Sequence, residues 1–341
     1  MFTTYSPSLV SLTSYKNEKI RYTKNNRTPR TSAARGNTMS ACVPGGTFSI
    51  WRVATMNVKP ATTFDEQLAL LRKRNCFIND PAFCTQVLRH INYYRFSAYF
   101  LPFKAPDGTY IKGTSFHRVY RIYEFDRKMR RTLFSIIEEV ELYLKTGLAY
   151  FHAHKYGPLG YMDASNFGKK HDHVRFKSLF EAEIKHSQKT PFVKHHLENY
   201  SGNFPIWVAT ELFSFGMLSY FYGDMQTQDK KEISRTLYRT SHSNLDSWLR
   251  CCTDLRNICA HYGRLYYRIF PAVPATPKGF EPVLGRRLFD QIVMLKFLYP
   301  DPNKWNQEVL PSISALFEEY RGDIELEHIG FPDNWDKLLN D

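Results

Sequence analysis

From Thr63 onward, apolar side chains recur along the chain at the spacing of an α-helix. In the segment after residue 115, six of them fall on one face at about 3.6-residue spacing: Met129, Leu133, Ile136, Ile137, Val140 and Leu144. Arg127, Arg131 and Glu138 lie on the opposite face. A stripe this long predicts a helix at the centre of the core.

Helix start signals divide much of the remaining chain. Thr63 is followed three residues later by Glu66, which is the spacing of a capping box. Asp80 and Pro81 are typical of the start of a second helix, whereas residues 102–115 combine Pro, Asp and Gly and predict a loop. Further helices are predicted over 173–187, 205–223, 228–239, 243–262, 284–299 and 304–321. Because the sequence has no alternating strand series and no internal repeat, the predicted fold class is all-α.

The first 55 residues differ from the rest in composition. They are rich in Ser, Thr, Asn and Arg, show no sustained period, and hold eight basic residues against one acidic residue. This composition predicts a disordered basic arm. A transit peptide has the same composition, and an extension upstream of a start at Met56 is a third interpretation. We favour disorder or the non-native extension over targeting.

Charge and cysteine usage limit the partners and the compartment. The chain has a formal net charge of +13, which favours polyanionic partners, but more than half of that charge lies in the first 55 residues. The six cysteines form no C-x-x-C pair, which predicts reduced thiols in a cytoplasmic protein. No uncharged apolar run reaches the roughly 18 residues of a membrane span, so no membrane partner is expected.

Four histidines lie close together in the sequence but do not complete a metal site. They have no carboxylate or Cys partner at ligand spacing: His152, His154, His171 and His173. We therefore predict no metal and no cofactor.

The segment 244–268, NLDSWLRCCTDLRNICAHYGRLYYR, contains the residues suited to chemistry. On a helix at about 100° per residue, Arg256 lies in the middle of an apolar face formed by Leu245, Trp248, Leu249, Cys252, Leu255 and Cys259. A guanidinium there stays charged, so we expect it to meet a carboxylate, a phosphate or a wet cleft. Glu141 and Glu211 are the candidate ion-pair partners. In the alternative interpretation, Arg256 forms such an ion pair, stabilises the fold and has no catalytic role.

His261 lies about 140° around the helix from Arg256 and about 7.5 Å along it, on a polar flank shared with Asn257. The two side chains can therefore border one groove. An Arg that holds a phosphate and a His that moves protons suit metal-free cleavage of RNA by its 2′-hydroxyl. That reaction uses a base and an acid, so a two-fold homodimer is expected to supply the second His. A helix cap before Gly263 is the alternative role of His261.

Several segments resemble known families. The run RNICAHYGRLYYR at 256–268 resembles the R-N-x-x-x-H signature of HEPN-superfamily ribonucleases. Over about 60–340, five segments in the same order resemble the Abi-like (abortive infection) family of bacterial anti-phage proteins: FDEQLALLRKRNCFI, INYYRFSAYFLPF, FHRVYRIYEFDRKMRRTLFSIIEEVE, PIWVATELFSFGMLSYFY and HIGFPDNWDKLL.

This resemblance implies a HEPN-like helical bundle, a homodimer and a metal-independent endoribonuclease toxin that acts on RNA during phage infection. It implies that Arg256 and His261 are catalytic, and that Asn257 is the polar residue that follows the catalytic Arg. Many such toxins have Tyr two residues after the His, where this chain has Gly263. An antitoxin, either RNA or protein, is a further expected partner. The chief alternative is a catalytically inactive HEPN-fold module that binds RNA or protein in phage defence.

The resemblance also suggests how the chain is organised. After the arm over 1–55, we expect an N-terminal helical segment over 56–115, a HEPN-like core over 116–270 and a C-terminal helical segment over 271–341. The last three together make one Abi-like domain, 56–341.

Basic residues on the long helix and after the motif are candidates for RNA contact: Arg127, Lys128, Arg130, Arg131 and Arg264. Glu124 and Asp126 interrupt this set, so a solvated helix face with local ion pairs is the alternative. Arg95, with the tyrosines before it, is interpreted as core-edge packing, with a phosphate contact as the second interpretation.

Overall fold

Helices make up nearly all of the regular structure in residues 59–340. The computed structural model describes residues 59–340, in which the only β-type pairing consists of isolated bridges, so the all-α prediction is confirmed. The α-helices are α1 (Phe64–Lys73), α2 (Pro81–His90), α3 (Tyr93–Ser97), α4 (Phe116–Tyr156), α5 (His173–His186), α6 (Pro191–Asn199), α7 (Ile206–Ala209), α8 (Phe215–Asp224), α9 (Thr227–Tyr238), α10 (His242–Ala260), α11 (Leu288–Leu298), α12 (Pro302–Lys304), α13 (Leu310–Glu319) and α14 (Trp335–Leu339). Shorter turns of 3-10 helix cover Ala98–Phe103, Gly160–Met162, Ala164–Asn166, Thr210–Leu212 and Leu326–Ile329, and a π-helical turn covers Trp305–Val309.

The first two helices begin where the sequence predicts. The hydroxyl of Thr63 accepts a hydrogen bond from the N–H of Glu66 at 3.2 Å, and the Glu66 carboxylate accepts one from the N–H of Thr63 at 2.7 Å. Asp80 accepts a hydrogen bond from the N–H of Phe83 at 3.0 Å, with Pro81 at the first helical position. Both starts therefore satisfy N–H groups that the helix itself leaves free.

The longest helix, α4, lies at the centre of the fold. It is 41 residues long, and all six residues of the predicted apolar stripe are buried. Helices α7, α8, α9, α10, α11 and α13 pack against it. Each fully buried Leu or Ile of the stripe contributes about 1.5–3 kcal/mol to the stability of the fold. The burial of the stripe and the six helices packed around α4 confirm the predicted central helix.

Helix α10 is packed between four other helices and held by hydrogen bonds at its start and along its length. The hydroxyl of Ser241 caps it by accepting a hydrogen bond from the N–H of Asn244 at 3.1 Å. The indole N–H of Trp248 donates to the carbonyl of Ala275 at 2.6 Å. The predicted apolar face is buried against α4, α8, α9 and α11, which fixes the helix that carries the motif.

The segment predicted as one helix over 205–223 is interrupted, so that boundary is wrong. Helix α7 ends at Ala209, and Phe213 has extended backbone before α8 begins. The hydroxyl of Ser214 accepts a hydrogen bond from the N–H of Met217 at 3.3 Å and starts the second helix. The spacing of apolar residues cannot show this break, because Ser214 lies within an apolar stretch and starts a new helix there.

The helix predicted from residue 284 begins only at Leu288. The carboxylate of Asp290 accepts hydrogen bonds from the N–H of Gly285 at 2.8 Å and from the N–H of Arg287 at 2.6 Å. Those bonds hold the preceding residues outside the helix. A carboxylate in the first helical turn is the signal that marks this later start.

None of the helices between residues 59 and 340 is both long and apolar enough to cross a membrane. Five cysteines in this part of the chain are buried and unpaired: Cys76, Cys84, Cys251, Cys252 and Cys259. The basic arm predicted over 1–55 lies outside the described residues.

Candidate active site at the end of helix α10

The motif residues lie where α10 ends. Arg256 and Asn257 are on its last turns, and His261 is the residue that caps its C-terminus. The N–H of His261 still bonds the carbonyl of Asn257 at 3.0 Å. His261 therefore continues the helical path, although the helix itself ends at Ala260 rather than at the predicted residue 262.

The chain turns sharply after His261. The N–H of Tyr262 bonds the carbonyl of Cys259 at 3.2 Å, and the N–H of Gly263 bonds the carbonyl of Ile258 at 2.7 Å. These bonds form a Schellman motif, in which the residue with left-handed backbone is here Tyr262, with a φ of 57°. A Cβ at Gly263 would lie 2.9 Å from Cγ2 of Ile258 and 3.0 Å from its carbonyl oxygen. A side chain at residue 263 would therefore force Ile258 or the turn to shift.

Arg256 is partly exposed, and its guanidinium is not neutralised by a carboxylate of residues 59–340. Its Nη1 lies 3.4 Å from Oδ1 of Asn257, and its guanidinium carbon lies 5.9 Å from the centre of the Phe134 ring. Its Nε is buried without a hydrogen-bond partner. Among residues 59–340, no carboxylate forms an ion pair with it.

The proposed ion pairs of Arg256 with Glu141 and Glu211 are not formed. Both carboxylates pair instead with Lys145, at 3.5 Å and 3.8 Å. Lys145 follows Glu141 by four residues on α4, which is the favourable spacing for a helical ion pair. Because Arg256 is partly exposed, water solvates its charge and no buried carboxylate is required.

His261 is exposed at the surface. No group in the described part of the chain forms a hydrogen bond with its imidazole. The ring is therefore accessible to a ligand from outside the chain, with no internal partner to fix its tautomer.

A buried carboxylate on α4 supports the turn from behind. Asp126 is fully buried and accepts hydrogen bonds from the N–H of Leu265 at 3.0 Å, the N–H of Tyr266 at 2.6 Å and the hydroxyl of Tyr99 at 2.7 Å. Arg130 forms an ion pair with it. Burial raises the pKa of Asp126, and the Arg130 charge and these hydrogen bonds oppose that rise. These five residues are called the Asp126 cluster below.

Two arginines hold the same turn by its carbonyl groups. Nη1 of Arg130 donates to the carbonyl of Gly263 at 3.2 Å, and Nη1 of Arg95 donates to the carbonyl of Tyr262 at 2.5 Å. With the Asp126 cluster, these bonds fix residues 262–266 against α3 and α4. The turn that follows His261 is therefore held by the buried Asp126 cluster and by the exposed Arg95 on α3.

The sequence does indicate that Asp126 and Arg130 are buried, although Arg130 was predicted to contact RNA. Asp126 precedes Met129 by three residues and Leu133 by seven, so it lies in register with the apolar stripe of α4. Arg130 follows it by four residues, which is ion-pair spacing. A charged pair at a core-facing position predicts a buried network rather than an RNA contact.

Four of the five candidate RNA contacts are engaged within the protein. Arg127 bonds Glu124 at 3.0 Å, Lys128 pairs with Glu319, Arg130 belongs to the Asp126 cluster, and Arg264 donates to the carbonyls of Tyr266 and Tyr267. The Arg127 pair is a local ion pair, as the alternative predicts, whereas the partner of Lys128 lies 191 residues away at the end of α13. Arg131 is the exposed member of the set, and within residues 59–340 it has no ion-pair or hydrogen-bond partner.

A cavity of about 890 Å³ opens beside the turn. Its walls are α4, the segment from the end of α2 into α3, and the end of α10. A smaller cavity of about 170 Å³ contains Arg256. Phe134 and Glu138 line both cavities, so the two share a wall next to the motif.

The histidines make hydrogen bonds or ring contacts rather than a cluster of ligands. His171 lies 3.1 Å from Asp224 and 3.1 Å from His173 through its two ring nitrogens. His152 is fully buried, and neither of its ring nitrogens has a partner. In the part of the chain that the structure describes, no three His, Cys, Asp or Glu side chains are grouped to hold a metal ion.

Comparison with known proteins identifies one family. A family model described as "Abi-like protein" matches residues 86–267, a range that includes Arg95, the Asp126 cluster and the motif at Arg256 and His261. No curated protein and no solved structure matches the chain. The match is shorter than the range of about 60–340 over which the sequence shows resemblance.

Proposed function

The chain belongs to the Abi-like protein family, and we propose that it is a metal-independent endoribonuclease. Family membership supports a role in defence against phage by abortive infection. The endoribonuclease activity, the homodimer and the toxin role go beyond the family match. They rest on the site and on the resemblance to HEPN ribonucleases.

One observation carries the proposal. The Arg256 guanidinium has no carboxylate partner among residues 59–340, and Arg256 lies five residues before the accessible His261 at the hydrogen-bonded end of α10. A solvent-facing guanidinium stabilises the charge that develops on a phosphate. An accessible imidazole can accept a proton from one group and donate one to another.

The proposed reaction exchanges one phosphorus–oxygen bond for another and transfers a proton at each of the two oxygens. The 2′-oxygen loses its proton and attacks the adjacent phosphorus, the bond from phosphorus to the 5′-oxygen breaks, and that oxygen takes up a proton. The products end in a 2′,3′-cyclic phosphate and a 5′-hydroxyl. Arg256 holds the phosphate, and His261 acts as one of the two proton-transfer groups, with the second supplied by His261 of a second copy of the chain.

A second function, an inactive module that binds RNA or protein, is favoured by a different observation. The His261 imidazole has no hydrogen-bond partner within the described residues, whereas a catalytic His is commonly oriented by such a bond. In the enzyme, a bound partner or a second chain would supply the hydrogen bond to the His261 imidazole. If no complex contains that hydrogen bond, the inactive binding module is favoured.

Incubation of the full-length chain with total RNA in EDTA separates the two functions. The ribonuclease produces fragments with 2′,3′-cyclic phosphate and 5′-hydroxyl ends, and His261→Ala abolishes them. His195→Ala is the control, because His195 is an exposed histidine on α6. Retention of RNA without new ends, in the parent and both variants, would support the binding module instead.

A further inference from the structure

The 890 Å³ cavity carries more positive charge than its own carboxylates neutralise. Four arginines line it, and Glu138 is the acidic residue among its lining groups. Two of those arginines, Arg127 and Arg130, are paired with carboxylates of α4. Arg95 and Arg131 have no carboxylate partner within residues 59–340, so the cavity favours an anion.

Aromatic rings line the same cavity and are open to solvent. Phe134 is 40% exposed and Tyr262 is 65% exposed. Exposed aromatic rings next to unpaired guanidinium groups match a base joined to a phosphate, because bases stack on aromatic side chains. The volume of about 890 Å³ is within the range of about 300–1,000 Å³ that is usual for ligand sites.

The cavity also adjoins the motif. The ring of Phe134 lies between the two cavities and 5.9 Å from the guanidinium carbon of Arg256. Tyr262 follows His261 directly in the chain. A ligand in the larger cavity would therefore lie next to a phosphate held by Arg256.

From this arrangement we propose that the cavity binds one nucleotide of the RNA chain, adjacent to the phosphate that is cleaved. Its base stacks on Phe134 and its phosphate contacts Arg131. This inference rests on the proposed ribonuclease function and gives the RNA substrate a defined position at that site. It also makes single-stranded RNA the substrate class, because a base in a duplex cannot enter the cavity without unstacking.

Binding of a labelled single-stranded oligoribonucleotide to the full-length His261→Ala protein tests the phosphate contact without cleavage. Adding Arg131→Ala should weaken binding about tenfold and reduce the slope of log K against log salt by about 0.7, the value for one lost phosphate contact. Arg235→Ala, which removes an exposed arginine of α9 outside the cavity, should change neither quantity. Arg131→Gln repeats the test with a side chain that keeps its length.

An abasic substitution tests the stacked base. At one position of the oligonucleotide, loss of the base should weaken binding about 5-fold to 100-fold. In the Phe134→Leu variant, the same abasic substitution should have a much smaller effect, because the ring that stacks on the base is gone. Such coupling between a base and a side chain reports direct contact.

The outcomes separate this proposal from the ribonuclease proposal. If the parent protein cleaves RNA but Arg131→Ala binds like Arg235→Ala with an unchanged salt slope, the cavity proposal is overturned and the ribonuclease stands. If no abasic position couples to Phe134, the stacked base is excluded. If the parent neither binds nor cleaves RNA, both proposals are overturned.

Discussion

Tyr262 adopts left-handed backbone at the position where a helix end usually has Gly. For a residue with a Cβ this conformation costs about 1–2 kcal/mol. The bond from Arg95 to its carbonyl and the Schellman bonds hold it there. Tyr262 also lines the cavity beside the motif, so Gly at this position would remove the strain and the aromatic ring together.

Substitution of either motif residue should remove activity without unfolding the protein. We expect Arg256→Ala and His261→Ala to change the free energy of unfolding by less than about 1 kcal/mol, because neither leaves a buried charge unpaired. Cleavage of RNA should fall at least about a hundredfold in each. Thermal melts and cleavage assays in EDTA measure both effects. A large loss of stability in Arg256→Ala would mean that its guanidinium is essential to the fold.

His152 should make the fold sensitive to acid. Burial lowers its pKa from 6.5 to about 4, with Asp229 opposing the shift. The unfolded chain therefore binds a proton that the native state excludes, so stability is complete above about pH 6.5 and decreases by about 3 kcal/mol as the pH falls to about 4. Urea unfolding at pH 7 and pH 4.5 should show a smaller loss in His152→Leu than in the parent. His154→Leu, two residues along α4, should behave like the parent.

At the level of elements, α4 has two separate tasks on different faces. Its apolar stripe forms the core, and Asp126 and Arg130 extend that inward face to hold the turn after α10. Arg131 and Phe134 lie on the exposed side and line the cavity. Because α10 ends against α4, one helix both supports the turn that carries His261 and contributes to the surface next to it.

Removing the charge of Asp126 should destabilise the protein strongly. Asp126→Asn leaves the buried guanidinium of Arg130 without its partner, which costs about 3–5 kcal/mol. Glu124→Gln is the control, because its ion pair with Arg127 is partly exposed and its loss costs less than about 1 kcal/mol. Urea unfolding measures both, and hydrogen exchange at the N–H groups of residues 265 and 266 should accelerate in Asp126→Asn alone. Equal stability of the two variants would contradict the supporting role of the Asp126 cluster.

For the molecule as a whole, the proposed reaction calls for a second copy of the chain. Leu142 is 51% exposed and Phe134 is 40% exposed, and both line the small cavity that contains Arg256. An interface that buries Leu142 and leaves the Phe134 ring open to the larger cavity would bring two motifs together across a two-fold axis. The two His261 residues would then serve as base and acid in a shared cleft.

Sedimentation should therefore show a dimer at micromolar concentration. Leu142→Glu should shift the protein to monomer and reduce RNA cleavage, because the new carboxylate would be buried in the interface without a partner. Val174→Glu is the control, since Val174 is exposed on α5 and lies outside both cavities. A monomer with full cleavage activity would contradict the shared cleft and place the second proton-transfer group in the same chain.

Local patterns in the sequence were enough to predict the helical class, the central helix and the element that carries the motif. The stripe of α4, the caps at Thr63 and Asp80, and the apolar face of α10 were all predicted correctly, because each depends on residues within a few positions of one another. The order of family-like segments likewise placed the chain in the family whose model matches it. The predicted helix boundaries at 205–223 and 284 failed where Ser214 and Asp290 cap helices within or beside apolar runs.

Which charged groups meet depends instead on how the helices pack. Asp126 binds amides 139 and 140 residues further along the chain, and Lys145 rather than Arg256 takes Glu211. The cavity likewise combines three segments that are far apart in sequence. Helical periodicity shows only which face of a helix is buried. The partner of each charged side chain depends on which elements pack against that face and on where along the helix they pack.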